Sequence, residues 1–351
     1  MPGAEGCRRE LLRGELMQAA IYGLAGAELT ADERHFFLEA DPAGYILFAR
    51  NCLDRAQVRA LTEALREIHP RADLPILIDQ EGGRVARMKP PEWPAFPTGE
   101  AFDRLYRAAP SSALEAARMN ARALALVLNE VGVNVDCLPV LDVRQPGASD
   151  IVGDRAMGSE PMQVAALGRA VLEGLASAGV VGVVKHMPGH GRALVDSHKE
   201  LPLVMATDAE LEIDLEPFER LRTAPMGMVA HILFSAWDPE RPSSLSPDII
   251  HRIIRERIGF DGFLMSDDIG MEALVGTPGE RAAATVAAGC DVALHCSGKL
   301  DEMIDVAANA PQLSTEGEAR LARAMASTLV DEEGPSLAEA TAKRDALLAL
   351  A

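Results

Sequence analysis

VVGVVKHMPGHGRALVDSH, residues 180–198, is the stretch on which the reading of this chain turns. Val180 to Val184 form a short, nearly continuous apolar run, the kind that belongs to a strand covered on both faces of a parallel sheet. The run stops at Lys185-His186 and passes into a turn punctuated by Pro188, Gly189 and Gly191, so charge arrives where the strand ends. The same grammar recurs at residues 20–26, 44–50, 74–79, 133–143, 226–233, 262–266 and 291–296, each run followed by a helical pattern. Helix starts are marked by Thr30 with Glu33, Asp54 with Gln57, and Ser246 followed by Pro247. Eight β-then-α units joined by right-handed crossovers predict an α/β chain folded as a (β/α)8 TIM-type barrel. An open doubly wound sheet is the alternative. No repeat or linker divides the chain, so one domain over residues 1–351 is expected, with a core over about 15–310 and extra helices over 311–351.

The bulk properties narrow the function. At 351 residues with 48% hydrophobic and 25% charged content, the chain can bury a large core. A formal charge of −19 without long single-sign runs argues against nucleic acid and against an anionic membrane surface as partner. Arg8 and Arg9 are followed by no apolar segment of the secretory type, and no stretch reaches bilayer-spanning length. The five cysteines, Cys7, Cys52, Cys137, Cys290 and Cys296, have no CxxC spacing and fit a reducing compartment. The expectation is a cytoplasmic protein, monomeric or weakly dimeric.

In such a barrel the residues just past each strand build the site. Here they are Asp79-Gln80-Glu81-Gly82-Gly83-Arg84 with Arg87, Asp142 leading to Gly153-Asp154-Arg155, Lys185-His186, His231, and Ser266-Asp267-Asp268. A shell of Asp79, Arg87, Arg155, Lys185, His186 and Asp267 around one axis is an expensive way to stabilise a core. It suits a polyol, whose hydroxyls donate to carboxylates and accept from Arg and Lys. Asp196 two residues before His198 is a pairing that fixes an imidazole tautomer and raises its basicity, which points to proton transfer near neutral pH. Asp267, at the end of strand seven, is placed to attack an anomeric carbon, although spacing alone does not rank it above Asp268. Glu81 and Arg84 are expected to brace the Asp79 turn, and His190 and His231 to support the site from behind.

DQEGGRVAR (79–87), GDRAMG (153–158), KHMPGHG (185–191), DSH (196–198) and SDDIGM (266–271), in that order, resemble the family 3 glycoside hydrolases. The Asp-Ser-His loop and single-barrel length are similar to those of the bacterial β-N-acetylhexosaminidases of peptidoglycan recycling. The resemblance implies a retaining exo-enzyme with Asp267 as nucleophile, His198 as general acid/base and Asp196 as its partner. It further implies that Asp79, Arg87, Arg155, Lys185 and His186 bind a terminal N-acetylglucosamine, β-1,4-linked to 1,6-anhydro-N-acetylmuramic acid in a muropeptide fragment. No metal or cofactor is called for. Because a neutral imidazole does not repel anions, a phosphorylase is the nearest alternative. A metal-dependent hydrolase using His186, His190, His198, His231 and Asp267 is a more distant one, since no HExxH is present. A non-catalytic sugar-binding protein needs no Asp267 with His198. Met187, Ala156-Met157, Ile269-Gly270 and Arg192-Ala193 depart from the family pattern, the last within a loop from Gly189 to His198 that is expected to swing.

Overall fold

In the computed structural model, which describes residues 17–195, 197, 200–328 and 330–351, each of the eight apolar runs overlaps a strand. These are β1 (Gln18–Gly23), β2 (Pro42–Leu47), β3 (Ile76–Ile78), β4 (Val135–Asp136), β5 (Val181–Met187), β6 (Met226–Val229), β7 (Phe263–Asp268) and β8 (Val292–His295). Each pairs in parallel with its neighbours in sequence, and β8 pairs with β1 to close the barrel. The fold is thus the expected single-domain TIM-type barrel. The largest difference in extent is at β4, which keeps two residues of the eleven expected. Pro139 has no N–H to continue the ladder, and only Val140 pairs again with Lys185, followed by a bond from Leu141 N–H to the Lys185 carbonyl.

Helices begin where their caps say they should. Thr30 and Glu33 form a reciprocal capping box on Ala31–Ala40, and Asp54 accepts from the Gln57 N–H at the start of Arg55–Ile68. Ser246 Oγ accepts from Ile249 N–H at the head of the π-type helix Ile249–Arg257. A short two-stranded sheet, Leu203–Val204 with Leu233–Phe234, lies outside the barrel ladder.

Strand alternation sorts the core into two apolar bodies. Ala19, Ile21, Ala43, Ile46, Leu77, Val135, Val181, Val183, Met226, Met228, Phe263, Met265, Val292 and Leu294 fill the barrel, and their alternate neighbours pack outward against the helices. Burying each such large side chain contributes roughly 1.5–3 kcal/mol. The two C-terminal helices have different duties. Thr315–Met325 closes the barrel floor, with Leu321 and Ala324 joining the interior cluster. Leu337–Leu348 lies outside, tied to the helix Pro110–Glu130 by a bond from Arg344 to Asn120 Oδ1 of 3.1 Å. Among the described residues, no helix is long and apolar enough to cross a membrane.

Candidate active site

The alternation that packs the barrel also charges its mouth. Leu77 is followed two residues on by Asp79, Val183 by Lys185, and Met265 by Asp267, so the inward series on β3, β5 and β7 turns ionic where the strands end. These three side chains line a cavity of about 320 Å³ together with Phe48, Glu81, Arg84, Arg87, Arg155, His186, His190, Ser197 and Asp268.

Five of the charges form one alternating array. Arg87 donates to Asp79 Oδ2 at 2.9 Å, and Lys185 Nζ bridges Asp79 Oδ1 at 2.8 Å and Glu81 Oε1 at 2.7 Å. Arg155 then closes on Glu81 with two bonds, of 2.8 and 2.7 Å. Burial opposes the charges of Asp79, Glu81, Lys185 and Arg155, yet their partners outweigh it. Lys185 and Arg87 hold the Asp79 carboxyl far below the usual range, Arg155 and Lys185 bring Glu81 down to about 2, and Asp79 and Glu81 keep Lys185 firmly protonated. Four sugar-site residues expected from the sequence, Asp79, Arg87, Arg155 and Lys185, therefore meet in one network.

Two expectations for this region need correction. Glu81 does brace, but its partners are Arg155 and Lys185 rather than the Asp79 turn. Arg84 holds residues 150–154 instead, through Asp154 and the carbonyls of Asp150 and Ile151. The Asp79 turn is tied by Gln80, whose Oε1 accepts from the N–H groups of Arg87 and Met88. Gly82 sits at φ +104°, and a Cβ there would lie 2.2 Å from the Pro97 carbonyl, so only glycine fits this turn.

His186, the fifth expected sugar residue, has its ring fixed by a residue that the sequence reading left without a role. Asp142 is wholly buried, and its Oδ2 lies 2.7 Å from His186 Nδ1. On the cavity side, Phe48 carries the guanidiniums of Arg50 and Arg87 at 4.9 and 5.0 Å from its ring centre, which helps to aim Arg87. The available signals were slight: an aspartate after the apolar Pro139-Val140-Leu141, and an aromatic residue just past β2.

Asp267 and Asp268 both line the cavity but differ in direction along the strand. Asp268 Oδ1 accepts from the N–H groups of Gly270 and Cys296, at 2.9 and 3.1 Å, and so serves the backbone. Asp267 continues the inward series of Phe263 and Met265, and its Oδ1 accepts from Asp268 N–H at 2.8 Å. His231 stands behind this strand end, wholly buried between Ser244 Oγ at 2.6 Å and the Asp268 carbonyl at 3.0 Å. That is the supporting position expected of it.

After β5, His190 and Ser197 contribute to the cavity wall. A Cβ on Gly191 would lie 1.9 Å from the Val143 carbonyl, and Arg192, one of the departures from the family pattern, reaches Asp214 at 2.5 Å. Burial nevertheless raises the Asp214 carboxyl to about 6 against the pull of Arg192. Asp196 and His198 lie outside the described residues; Ser197, between them, is buried, lines the cavity and sits 3.2 Å from His190 Nε2. Among the described residues, no group of three or more His, Cys, Asp or Glu side chains is placed to hold a metal ion.

Comparison with known proteins bears on this geometry. The model of the glycosyl hydrolase family 3 N-terminal domain matches residues 13–328. A β-hexosaminidase of Aromatoleum aromaticum is 39% identical over 304 residues, covering 85% of this chain and 84% of that protein. One from Bordetella avium is 37% identical over 281 residues, covering 78% and 79%. The crystal structure of NagZ from Neisseria gonorrhoeae in complex with N-trifluoroacetyl-D-glucosamine superposes with a TM-score of 0.84 at 29% identity, over 95% of this chain and 98% of that one. A closed barrel, a family match over most of its length and relatives named β-hexosaminidase together establish that this chain belongs to glycosyl hydrolase family 3 and is a glycoside hydrolase.

Proposed function

We propose that the enzyme is a cytoplasmic, retaining exo-β-N-acetylglucosaminidase that removes a terminal β-1,4-linked N-acetylglucosamine from 1,6-anhydro-N-acetylmuramic acid fragments in peptidoglycan recycling. The observation that carries the reading is the Arg87–Asp79–Lys185–Glu81–Arg155 array in the cavity onto which Asp267 opens. Its donors and acceptors are fixed before any ligand arrives, which is what orienting a ring of hydroxyls demands. At about 320 Å³ the cavity is at the small end of ligand sites, roughly 300–1,000 Å³, and accommodates one sugar rather than a glycan chain. The similarity to proteins named β-hexosaminidase, and to a NagZ solved in complex with N-trifluoroacetyl-D-glucosamine, supports the choice of that sugar.

In this mechanism Asp267 attacks the anomeric carbon as the glycosidic bond breaks, and His198 gives its proton to the leaving oxygen. Neutral His198 then takes a proton from water, which displaces the Asp267 carboxylate and restores the β configuration. Asp196 orients His198, while Asp79, Arg87, Arg155, Lys185 and His186 hold the sugar. The test is release of N-acetylglucosamine from a chromogenic aryl glycoside and from the natural disaccharide. His198→Ala is expected to lose about 10²- to 10⁴-fold on the disaccharide and much less on the activated aryl glycoside. Equal losses on both would remove His198 as the acid, and appearance of the sugar 1-phosphate in phosphate buffer would replace water as the acceptor.

A further inference from the structure

Asp142 accepts three hydrogen bonds, all from the segment that follows Val184. Oδ2 lies 2.7 Å from His186 Nδ1, while Oδ1 takes the His186 N–H at 3.2 Å and the His190 N–H at 2.7 Å. It reaches them because residues 140–141 resume pairing with Lys185, which sets Asp142 beside the end of β5. Burial would favour the neutral acid, but the hydrogen bonds from the His186 ring and the His190 N–H favour the ionised carboxylate of Asp142. A carboxylate can only accept, so the Nδ1 of His186 must carry a proton. The opposite ring nitrogen, Nε2, lies 3.4 Å from a terminal nitrogen of Arg155, and a guanidinium can only donate. The ring is therefore bracketed by an obligate acceptor and an obligate donor, and only the neutral Nδ1–H tautomer satisfies both.

We propose that Asp142 is a positioning residue of the sugar site, which fixes His186 as the Nδ1–H tautomer and so offers substrate a hydrogen-bond acceptor at Nε2. This rests on the reading of His186 as a sugar-binding residue. It assigns the imidazole a polarity: a sugar hydroxyl that takes the place of the long 3.4 Å Arg155 contact donates to Nε2 and does not accept from it. The same carboxylate holds the His190 backbone, so the orientation of the His186 ring and the position of the His190 backbone are set together.

Asp142→Asn separates the two duties. The amide oxygen retains the place of Oδ1 and still accepts from the two backbone N–H groups, but the NH2 faces Nδ1 and donates to it. The ring proton is thereby driven to Nε2, which then points a donor at Arg155 and at the sugar. In protein labelled with ¹⁵N-histidine, His186 should read as Nδ1–H in the unsubstituted enzyme and as Nε2–H in Asp142→Asn. KM for an aryl N-acetylglucosaminide and Ki for N-acetylglucosamine should both rise by about 10- to 100-fold, with a smaller change in kcat. A merely structural Asp142 would lower the melting temperature and leave the tautomer alone. If His186→Ala weakens sugar binding but Asp142→Asn changes neither tautomer nor KM, the proposal is overturned and the sugar-site reading stands. Should His186→Ala leave KM and Ki unchanged, both fall. Should Asp142→Asn fail to fold, the unsubstituted enzyme decides, since an Nε2–H tautomer there overturns the proposal.

Discussion

Phe263 and Asp267 point into one barrel from one strand, yet they belong to different regimes. At the level of Phe263 the interior is filled by aliphatic and aromatic groups over a floor made by Leu313, Leu321 and Ala324. At the level of Asp267 the same alternation presents Asp79 and Lys185, with Glu81 and Arg155 beside them. The lower level supplies apolar burial, which is non-directional and tolerant of which residue fills it. The upper level holds charges that are tolerable only as a set, because each offsets the desolvation of its neighbours. Stability and recognition are thus divided along the barrel axis, and a substitution should report which level it falls in.

The largest effect tests that division from both sides. Asp267→Ala should abolish turnover, by about 10⁴-fold or more, while the protein still folds. Phe263→Ala should cost about 3–5 kcal/mol in chemical denaturation, with kcat and KM nearly unchanged in the fraction that remains folded. A Phe263→Ala enzyme that folds yet loses its chemistry would show that the levels are not separable.

Next comes Lys185→Met, in which one substitution should register in both currencies. Lys185 Nζ is the cation shared by Asp79 and Glu81, so its loss sets two buried carboxylates side by side with only the outer arginines to offset them. A cost of about 3–5 kcal/mol is expected, together with loss of sugar binding. The pH dependence gives a finer reading. Asp79 and Glu81 have depressed folded pKa values, Glu81 at about 2, so their contribution is present above the unfolded value near 4 and fades as pH falls toward 2. In Lys185→Met these folded values rise, so the stability deficit should shrink as pH is lowered through that window. A deficit independent of pH would mean that Lys185 acts through packing alone.

How much of this was legible beforehand follows from the same division. The eight strands announce themselves because a strand buried on both faces must be apolar along its length, and the caps at Thr30 and Asp54 act locally. Asp79, Arg87, Arg155 and Lys185 were visible as charges placed where apolar runs stop. Hidden from sequence was who pairs with whom. Glu81 meets Lys185 and Arg155 across the barrel mouth, and Asp142 meets His186 where the chain beyond Pro139 pairs again at Val140. Which of Asp267 and Asp268 continues the inward series of Phe263 and Met265 likewise needed a fixed strand direction, which a pair of adjacent aspartates does not carry.

The smallest effect concerns His190, a neutral group at the charged level. Its ring is buried, with Nε2 near Ser197 and with Nδ1 accepting no partner among the described residues. Burial, against the attraction of Asp142, lowers its pKa to about 4. Between pH 6.5 and 4 the unfolded chain therefore binds a proton that the folded protein refuses, and stability must fall as pH falls through that range, by on the order of 2–3 kcal/mol for this group. Asp214 works in the opposite direction. Its folded pKa of about 6 means that the native state keeps a proton which the unfolded chain has released above about 4, so it gains stability over much of the same window. The two partly cancel, and the unsubstituted protein should look deceptively insensitive to mild acid. His190→Asn should turn the slope of unfolding free energy between pH 6 and 4.5 toward greater stability at low pH, and Asp214→Asn should steepen the acid loss. Parallel curves for the two variants would mean that neither group is buried in the charge state assigned to it, and that the upper level of the barrel is better hydrated than its packing implies.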